Sequence, residues 1–313
     1  MAADQGCEFR PVSENVALAA TSGRGSRLGS GNAAPAAGLS CGCRLGSENV
    51  APGARSGEDS WVRRLTSGTM TALMGLQTRL RLARLYLCTD ARSDRGDLAE
   101  FCAAAFAGGV DILQIRQKNM DPDEELAALE IARRAAEPHQ AMVCVNDSPV
   151  LAGRFSADIL HLGQTDGSSA EARQHLHRWA LIGRSTHEPA QADGAIADEA
   201  ADYFCVGPVY ATPTKPDYRP AGLDLVRYAA EVAPPSDIAA KPWFAIGGID
   251  QGNLDEVLAA GARRVCVVRA ITKAADPEKA ARALKDRLRE AWQSDPAMKP
   301  YALAAAGSTG PAR

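Results

Sequence analysis

From Leu85 onward, short apolar runs alternate with amphipathic stretches, and the alternation repeats eight times. The runs are "LYLCTD" (85–90), "ILQIRQK" (112–118), "AMVCVND" (141–147), "ILHLGQTD" (159–166), "LIGRSTH" (181–187), "YFCVGPV" (203–209), "WFAIGGID" (243–250) and "RVCVVRAIT" (264–272). Most are apolar nearly throughout, the pattern of strands buried on both faces of a parallel sheet. Helical patterns are expected between them at 97–107, 123–136, 168–179, 253–262 and 276–292. The opening "DPDEE" (121–125) shows the grammar, with a proline first and acids in the first turn. Eight such units in roughly 200 residues predict a single closed (β/α)8 TIM barrel. The rival, an open doubly wound sheet, usually has fewer strands and a G-x-G-x-x-G turn after its first strand, which this chain lacks.

The barrel is expected over 84–293, with a flexible tail at 294–313. Residues 1–83 read as an irregular, low-complexity extension rich in Gly, Ser, Ala and Arg. This segment repeats "SENVA" at 13–17 and 47–51, and "RLGS" at 27–30 and 44–47. It is either a disordered extension or sequence upstream of a true start at Met70 or Met74; the second reading is favoured.

Hydrophobic residues at 46% and charged residues at 23% allow a sizeable core. The net charge of -3 argues against non-specific nucleic-acid binding, which usually needs a basic face. No run of eighteen apolar residues predicts a membrane span, and no secretory signal is evident. Cys88, Cys144, Cys205 and Cys266 lie in strand-like runs and Cys102 in a helical one, where each reads as a small buried hydrophobe. "CGC" at 41–43 has no second Cys or His pair at a workable spacing, and Cys7 stands alone. A reducing cytoplasm is the expected location, and a homo-oligomer is compatible with this reading.

Polar residues collect at the C-terminal ends of the strands, where barrels of this type place their chemistry. The second run ends in Gln114, Arg116 and Lys118, which alternate and point to one side. The third ends in Asn146 and Asp147, the fourth in Gln164 and Asp166, and the fifth in Ser185 and His187. The sixth opens into "VYATPTKPDYRPAG" (209–222), whose prolines exclude both a helix and a central strand. The seventh ends in Gly247 and Gly248, and the eighth carries Arg269. Asp147 and Asp166 could each cap a following helix, or together with solvent and phosphate hold Mg²⁺. Gly247-Gly248 could be a tight turn alone, or backbone that approaches an anion. His187 reads as a surface residue and His161 as a packed one. With Asp147, Asp166, Arg116 and Lys118, joined by Lys215, the rim offers a corner for a diphosphate. Gly247, Gly248 and Arg269 offer a second for a monophosphate. No Cys or Ser shows an evident base partner, so covalent catalysis is not indicated.

The motifs "QIRQK", "VND", "HLGQTD", "GRSTH", "GPVYATPTK", "AIGGI" and "VVRAI", in this order over about 84–293, closely resemble the thiamine phosphate synthase family. The resemblance implies a transferase that joins 4-amino-2-methyl-5-(diphosphooxymethyl)pyrimidine to 4-methyl-5-(2-phosphooxyethyl)thiazole, giving thiamine phosphate and diphosphate. It implies that Gln114, Arg116, Lys118 and Asn146 hold the pyrimidine diphosphate and that Asp147 and Asp166 bind Mg²⁺. Ser185 would contact the pyrimidine and Lys215 its diphosphate. Thr212, Thr214, Gly248 and the backbone at Val268 and Arg269 would meet the thiazole phosphate. Lys215, Ser185, Arg116 and Lys118 form the expected catalytic set. Many members carry Ser where this chain has Arg269. A thiazole tautomerase of the same superfamily and an inactive phosphate-binding barrel are the alternatives; the intact diphosphate motifs disfavour the first.

Overall fold

Each of the eight apolar runs forms a parallel strand, and the strands close on themselves. The computed structural model describes residues 74–212 and 219–307. The strands are β1 (Leu85–Thr89), β2 (Ile112–Ile115), β3 (Met142–Asn146), β4 (Ile159–Leu162), β5 (Leu181–Thr186), β6 (Tyr203–Val206), β7 (Trp243–Ile246) and β8 (Val265–Val267). Each pairs with its sequence neighbours, and β8 returns to β1 to complete the barrel. The expectation of a (β/α)8 barrel is met.

The helices start where the local chemistry predicts. In α3 (Pro122–Ala136), the Asp121 side chain accepts from the Asp123 and Glu124 amides. In α4 (Pro149–Phe155), the Ser148 hydroxyl accepts from the Leu151 amide. In α5 (Ser169–Arg173), Ser168 and Glu171 exchange backbone bonds in a capping box. In α10 (Pro277–Ser294), Asp276 accepts from the Lys279 amide. The other helices of the barrel are α2 (Leu98–Ala107), α6 (Pro189–Ala197), α7 (Gly222–Val232), α8 (Leu254–Ala259) and α9 (Arg269–Thr272).

Alternation along each strand separates two cores. Side chains such as Leu87, Leu113, Val145, Phe204 and Trp243 face outward and pack under the helices. Tyr86, Ile112, Met142, Ile159, Leu181, Tyr203 and Phe244 fill the barrel. Tyr203 reaches the centre because Gly183 sits opposite it: a Cβ there would lie 2.1 Å from the Tyr203 ring. Below this layer, α1 (Leu76–Leu82) plugs the N-terminal mouth with fully buried Leu80. Gln77 ties the plug down by donating to Asp202 over 2.6 Å. Asp111 at the same end accepts from the Arg84 and Leu85 amides and takes the Lys285 ammonium from α10.

Four expectations need correction. Residues 76–82, assigned to the irregular extension, are the helical plug. Residues 298–307, expected as a flexible tail, form α11 (Met298–Gly307). Its buried Met298 and Tyr301 pack on Trp292, and the Arg264 guanidinium donates to the Tyr301 hydroxyl over 2.8 Å. The 168–179 pattern is helical only to Arg173. Beyond it the amides of Gln174, His175 and Leu176 reach back three residues instead of four, which overwinds and ends the helix. The last strand stops at Val267, and Arg269 begins the short helix α9. Expectations for residues 1–73, 213–218 and 308–313, among them Cys7, Cys41, Cys43, Met70, Thr214 and Lys215, lie outside the described residues.

Candidate active site

At the C-terminal ends of the strands the barrel opens into a cavity of about 500 Å³. Gln114 lines it from β2, Arg116 and Lys118 from the turn that follows, Asn146 from the end of β3 with Asp147 just beyond it, and Asp166 from the loop after β4. Ser185 and His187 enter from β5, and Thr212 from the loop after β6. Gly248, Val268 and Arg269 close the far side. Every described residue that the sequence placed at the rim therefore borders one cavity. His187 departs from its surface reading: it is half-buried, and its Nδ1 lies against the Gly207 carbonyl, an orientation set by the curl of the chain after β6.

The floor is a fixed polar layer. Gln114 is buried, at 3% exposure, because the strand turns its side chain into the barrel. Its Nε2 donates to Asn146 Oδ1 over 2.9 Å, and its Oε1 accepts the Cys88 thiol over 2.8 Å. Both ends of the amide are thus assigned, so its orientation is locked. Beside it, His161 bridges Ser185 Oγ and the Tyr203 hydroxyl, each at 3.0 Å. Ser185 therefore has an imidazole partner, which the sequence reading missed. Alternation puts both on inward-facing positions of neighbouring strands, but their pairing follows from the register between β4 and β5. Tyr203, not a carboxylate, stands behind the imidazole, and burial holds that phenol neutral. Held between the two hydroxyls, His161 orients that of Ser185 toward the cavity.

Asp147 and Asp166 form the acidic corner. Neither is needed as a helix cap, because Ser148 and Ser168 fill those roles. Asp166 Oδ2 accepts from the Gly163 amide over 2.7 Å, which points the side chain inward. Asp147 sits at φ 60°, a left-handed conformation that Asp tolerates better than most residues. Burial and, after it, the hydrogen bond and charge of Asp166 push the Asp147 carboxyl up to about 6. Asn146 and Arg116 oppose that rise without cancelling it. Two carboxylates held this close need either a shared proton or a cation between them. No group of three or more His, Cys, Asp or Glu side chains with metal-site geometry occurs among the described residues. An all-oxygen pair fits a hard ion that keeps much of its water and takes phosphate oxygens, as Mg²⁺ does.

The opposite side is built from backbone. Gly247 and Gly248 have φ of 107° and 66°, and Cβ atoms there would press on Pro208 and Tyr210. The Val209 and Tyr210 amides donate to the Ile246 and Gly247 carbonyls over 2.8 and 3.0 Å. Asn253 Nδ2 donates to the Gly248 carbonyl over 2.9 Å. The root of the 209–222 loop is thereby layered on the glycine turn, so packing alone requires both glycines. The half-buried turn still leaves backbone facing the cavity.

A (β/α)8 barrel with a carboxylate pair, three cations and a glycine turn on one rim defines an enzyme built for phosphorylated small molecules. Residues 85–271 match the family described as Thiamine monophosphate synthase. The thiamine-phosphate synthase of Thermobifida fusca is 56% identical over 213 residues, covering 68% of this chain and 95% of the relative. That of Streptomyces avermitilis is 54% identical over 213 residues, covering 68% and 97%. The solved thiamine phosphate pyrophosphorylase of Pyrococcus furiosus superposes with a TM-score of 0.59 at 30% identity, covering 68% of this chain and 98% of that one. The chain belongs to the thiamine monophosphate synthase family, whose members are transferases of thiamine biosynthesis.

Proposed function

We propose that the chain condenses 4-amino-2-methyl-5-(diphosphooxymethyl)pyrimidine with 4-methyl-5-(2-phosphooxyethyl)thiazole, releasing diphosphate and forming thiamine phosphate. The observation that supports this most strongly is the shared cavity. Asp147, Asp166, Arg116 and Lys118 border it together with the Gly247–Gly248 turn, in a chain of this family. Gln114, with both amide ends committed, and Ser185, aimed by His161, would read the pyrimidine ring. Arg116 and Lys118 would hold its diphosphate, and Asp147 with Asp166 would hold Mg²⁺. Bound Mg²⁺ would neutralise charge on the diphosphate and make it a better leaving group.

Lys215 and Thr214, in the loop after β6, would approach the diphosphate and the thiazole phosphate. Thr212 and the backbone at Gly248, Val268 and Arg269 would complete the second site. The aminopyrimidine supplies the electrons that stabilise the methylene cation left behind, and the thiazole nitrogen attacks it. The protein's share is to position the two partners, stabilise charge and exclude water. No side chain is required to take a proton in the bond-breaking step.

No helix among the described residues is long and apolar enough to cross a membrane. The five described cysteines are buried thiols outside any disulfide. The unbridged thiols support a cytoplasmic location. The direct test supplies both substrates and Mg²⁺ and follows diphosphate by a coupled assay. Diphosphate release that needs all three components is expected. No release, with the thiazole instead isomerised or merely bound, would overturn the proposal.

A further inference from the structure

We propose that Cys88 and Cys266 form an oxidisable dithiol in the floor of the cavity, and that its reactant is a small hydroperoxide. The two residues sit on β1 and β8, the strands whose pairing closes the barrel. Both side chains face inward and line the cavity. Cys266 pairs in register with Tyr86, so Cys88 stands one inward step further along its strand. Their sulfurs are nonetheless 3.4 Å apart. Closing to a bond of about 2.05 Å needs a movement of roughly 1.4 Å, and because diagonal neighbours on adjacent strands lie about 7–8 Å apart, the β1 and β8 backbones must supply part of it.

Cys88 is 6% exposed and Cys266 fully buried, which assigns their order of reaction. Burial also pushes the Cys266 thiol well above its usual range, so it is the weaker initial nucleophile. The Cys88 sulfur attacks one peroxide oxygen. The O–O bond breaks, Cys88 becomes a sulfenic acid, and the other oxygen leaves as water or an alcohol after taking the thiol proton. The Cys266 sulfur then attacks the sulfenic sulfur. The S–O bond breaks, the S–S bond forms, and the departing hydroxyl takes the Cys266 proton as water. Two thiols lose two electrons and the peroxide gains them.

The consequence passes to the pyrimidine-binding floor. In the reduced state the Cys88 S–H donates to Gln114 Oε1 over 2.8 Å, while Gln114 Nε2 holds Asn146. A disulfide has no S–H, so Gln114 loses the bond that fixes its orientation, and Asn146 loses a fixed partner. A diagonal link across parallel strands is also strained, and strained links are readily reduced. Oxidation therefore acts as a reversible brake.

The full chain is treated with graded hydrogen peroxide, digested without reductant, and mapped by mass spectrometry, with diphosphate release measured on the same samples. The expected result is a Cys88–Cys266 cross-linked peptide. It grows in step with a loss of rate of about tenfold, and dithiothreitol reverses both. Absence of that peptide at peroxide levels that oxidise the other cysteines, or Cys88 linked to Cys205 in its place, overturns the site. A complete Cys88–Cys266 link with an unchanged rate overturns the coupling through Gln114. The rate arm rests on the synthase reading; the peptide arm does not, so failure of one is distinct from failure of the other.

Discussion

Asp147→Asn is expected to stabilise the metal-free protein near neutral pH while abolishing its reaction. Burial and the neighbouring Asp166 raise the Asp147 carboxyl from 3.8 to about 6 in the folded chain. A raised acid binds its proton more tightly when folded, so the stability it brings is complete below the unfolded value. That stability is lost as pH rises through about 6. Above that pH the ionised pair costs the fold. A gap of about two pH units, at 1.36 kcal/mol each, is an upper bound of about 3 kcal/mol. Although other groups crowd it, Asp147 is exposed at the rim. Solvent screening therefore reduces the cost to about 1 kcal/mol. Asparagine keeps the size and tolerates φ near 60° but carries no charge. In a domain of this size, about 1 kcal/mol raises Tm by about 3 °C. Thermal unfolding in chelator would be compared at pH 7.5 and pH 5 for both proteins. The variant should be the more stable at pH 7.5, and the gap should narrow at pH 5, where wild-type Asp147 is largely protonated. Diphosphate release should fall by orders of magnitude. A lower Tm for Asp147→Asn at pH 7.5 would show that the carboxylate is held by partners and not repelled by Asp166. The pair would then need no cation between its members.

Gln114→Met keeps the volume but removes both floor hydrogen bonds; at about 1 kcal/mol each, Tm should fall by about 6 °C, and kcat/KM for the pyrimidine diphosphate should drop tenfold or more as the floor loses its fixed amide. Gly183→Ala should cost about 3 kcal/mol in urea unfolding, because the added methyl group overlaps the Tyr203 ring and neither backbone can retreat. Arg269→Ser removes an exposed cation beside the glycine turn, so KM for the thiazole phosphate should rise roughly threefold and turnover hold steady. Unchanged kinetics for that substrate would remove the role proposed for Arg269.

The strands were legible because burial on both faces imposes apolar continuity that amphipathic helices do not share. Their ends were less so. "RVCVVRAIT" is apolar enough to read as one strand, yet backbone pairing with β7 ends early and the chain coils into α9. The helix Met298–Gly307 escaped notice because its alanines carry no strong periodicity; what anchors it is contact with Trp292 and Arg264, residues of other elements. At the site, period-two alternation located Gln114, Arg116 and Lys118. The partnership of His161 with Ser185, and of Cys88 with Gln114, depends on register between strands, which a single strand's pattern does not encode.

One inward-facing stripe serves both stability and chemistry, which explains the division of residue types along each strand. On β2 the stripe runs from Ile112 to Gln114, on β3 from Met142 through Cys144 to Asn146, and on β4 from Ile159 to His161. The lower members pack as in any core; the upper members pair their polar atoms with one another, as burial requires. A slip of one residue in any strand would turn its apolar member toward the helices and strand a buried amide or imidazole without its partner. The register that fills the barrel is thus the register that assembles the floor, and a substitution such as Gly183→Ala should disturb stability and catalysis together because it acts on that shared constraint.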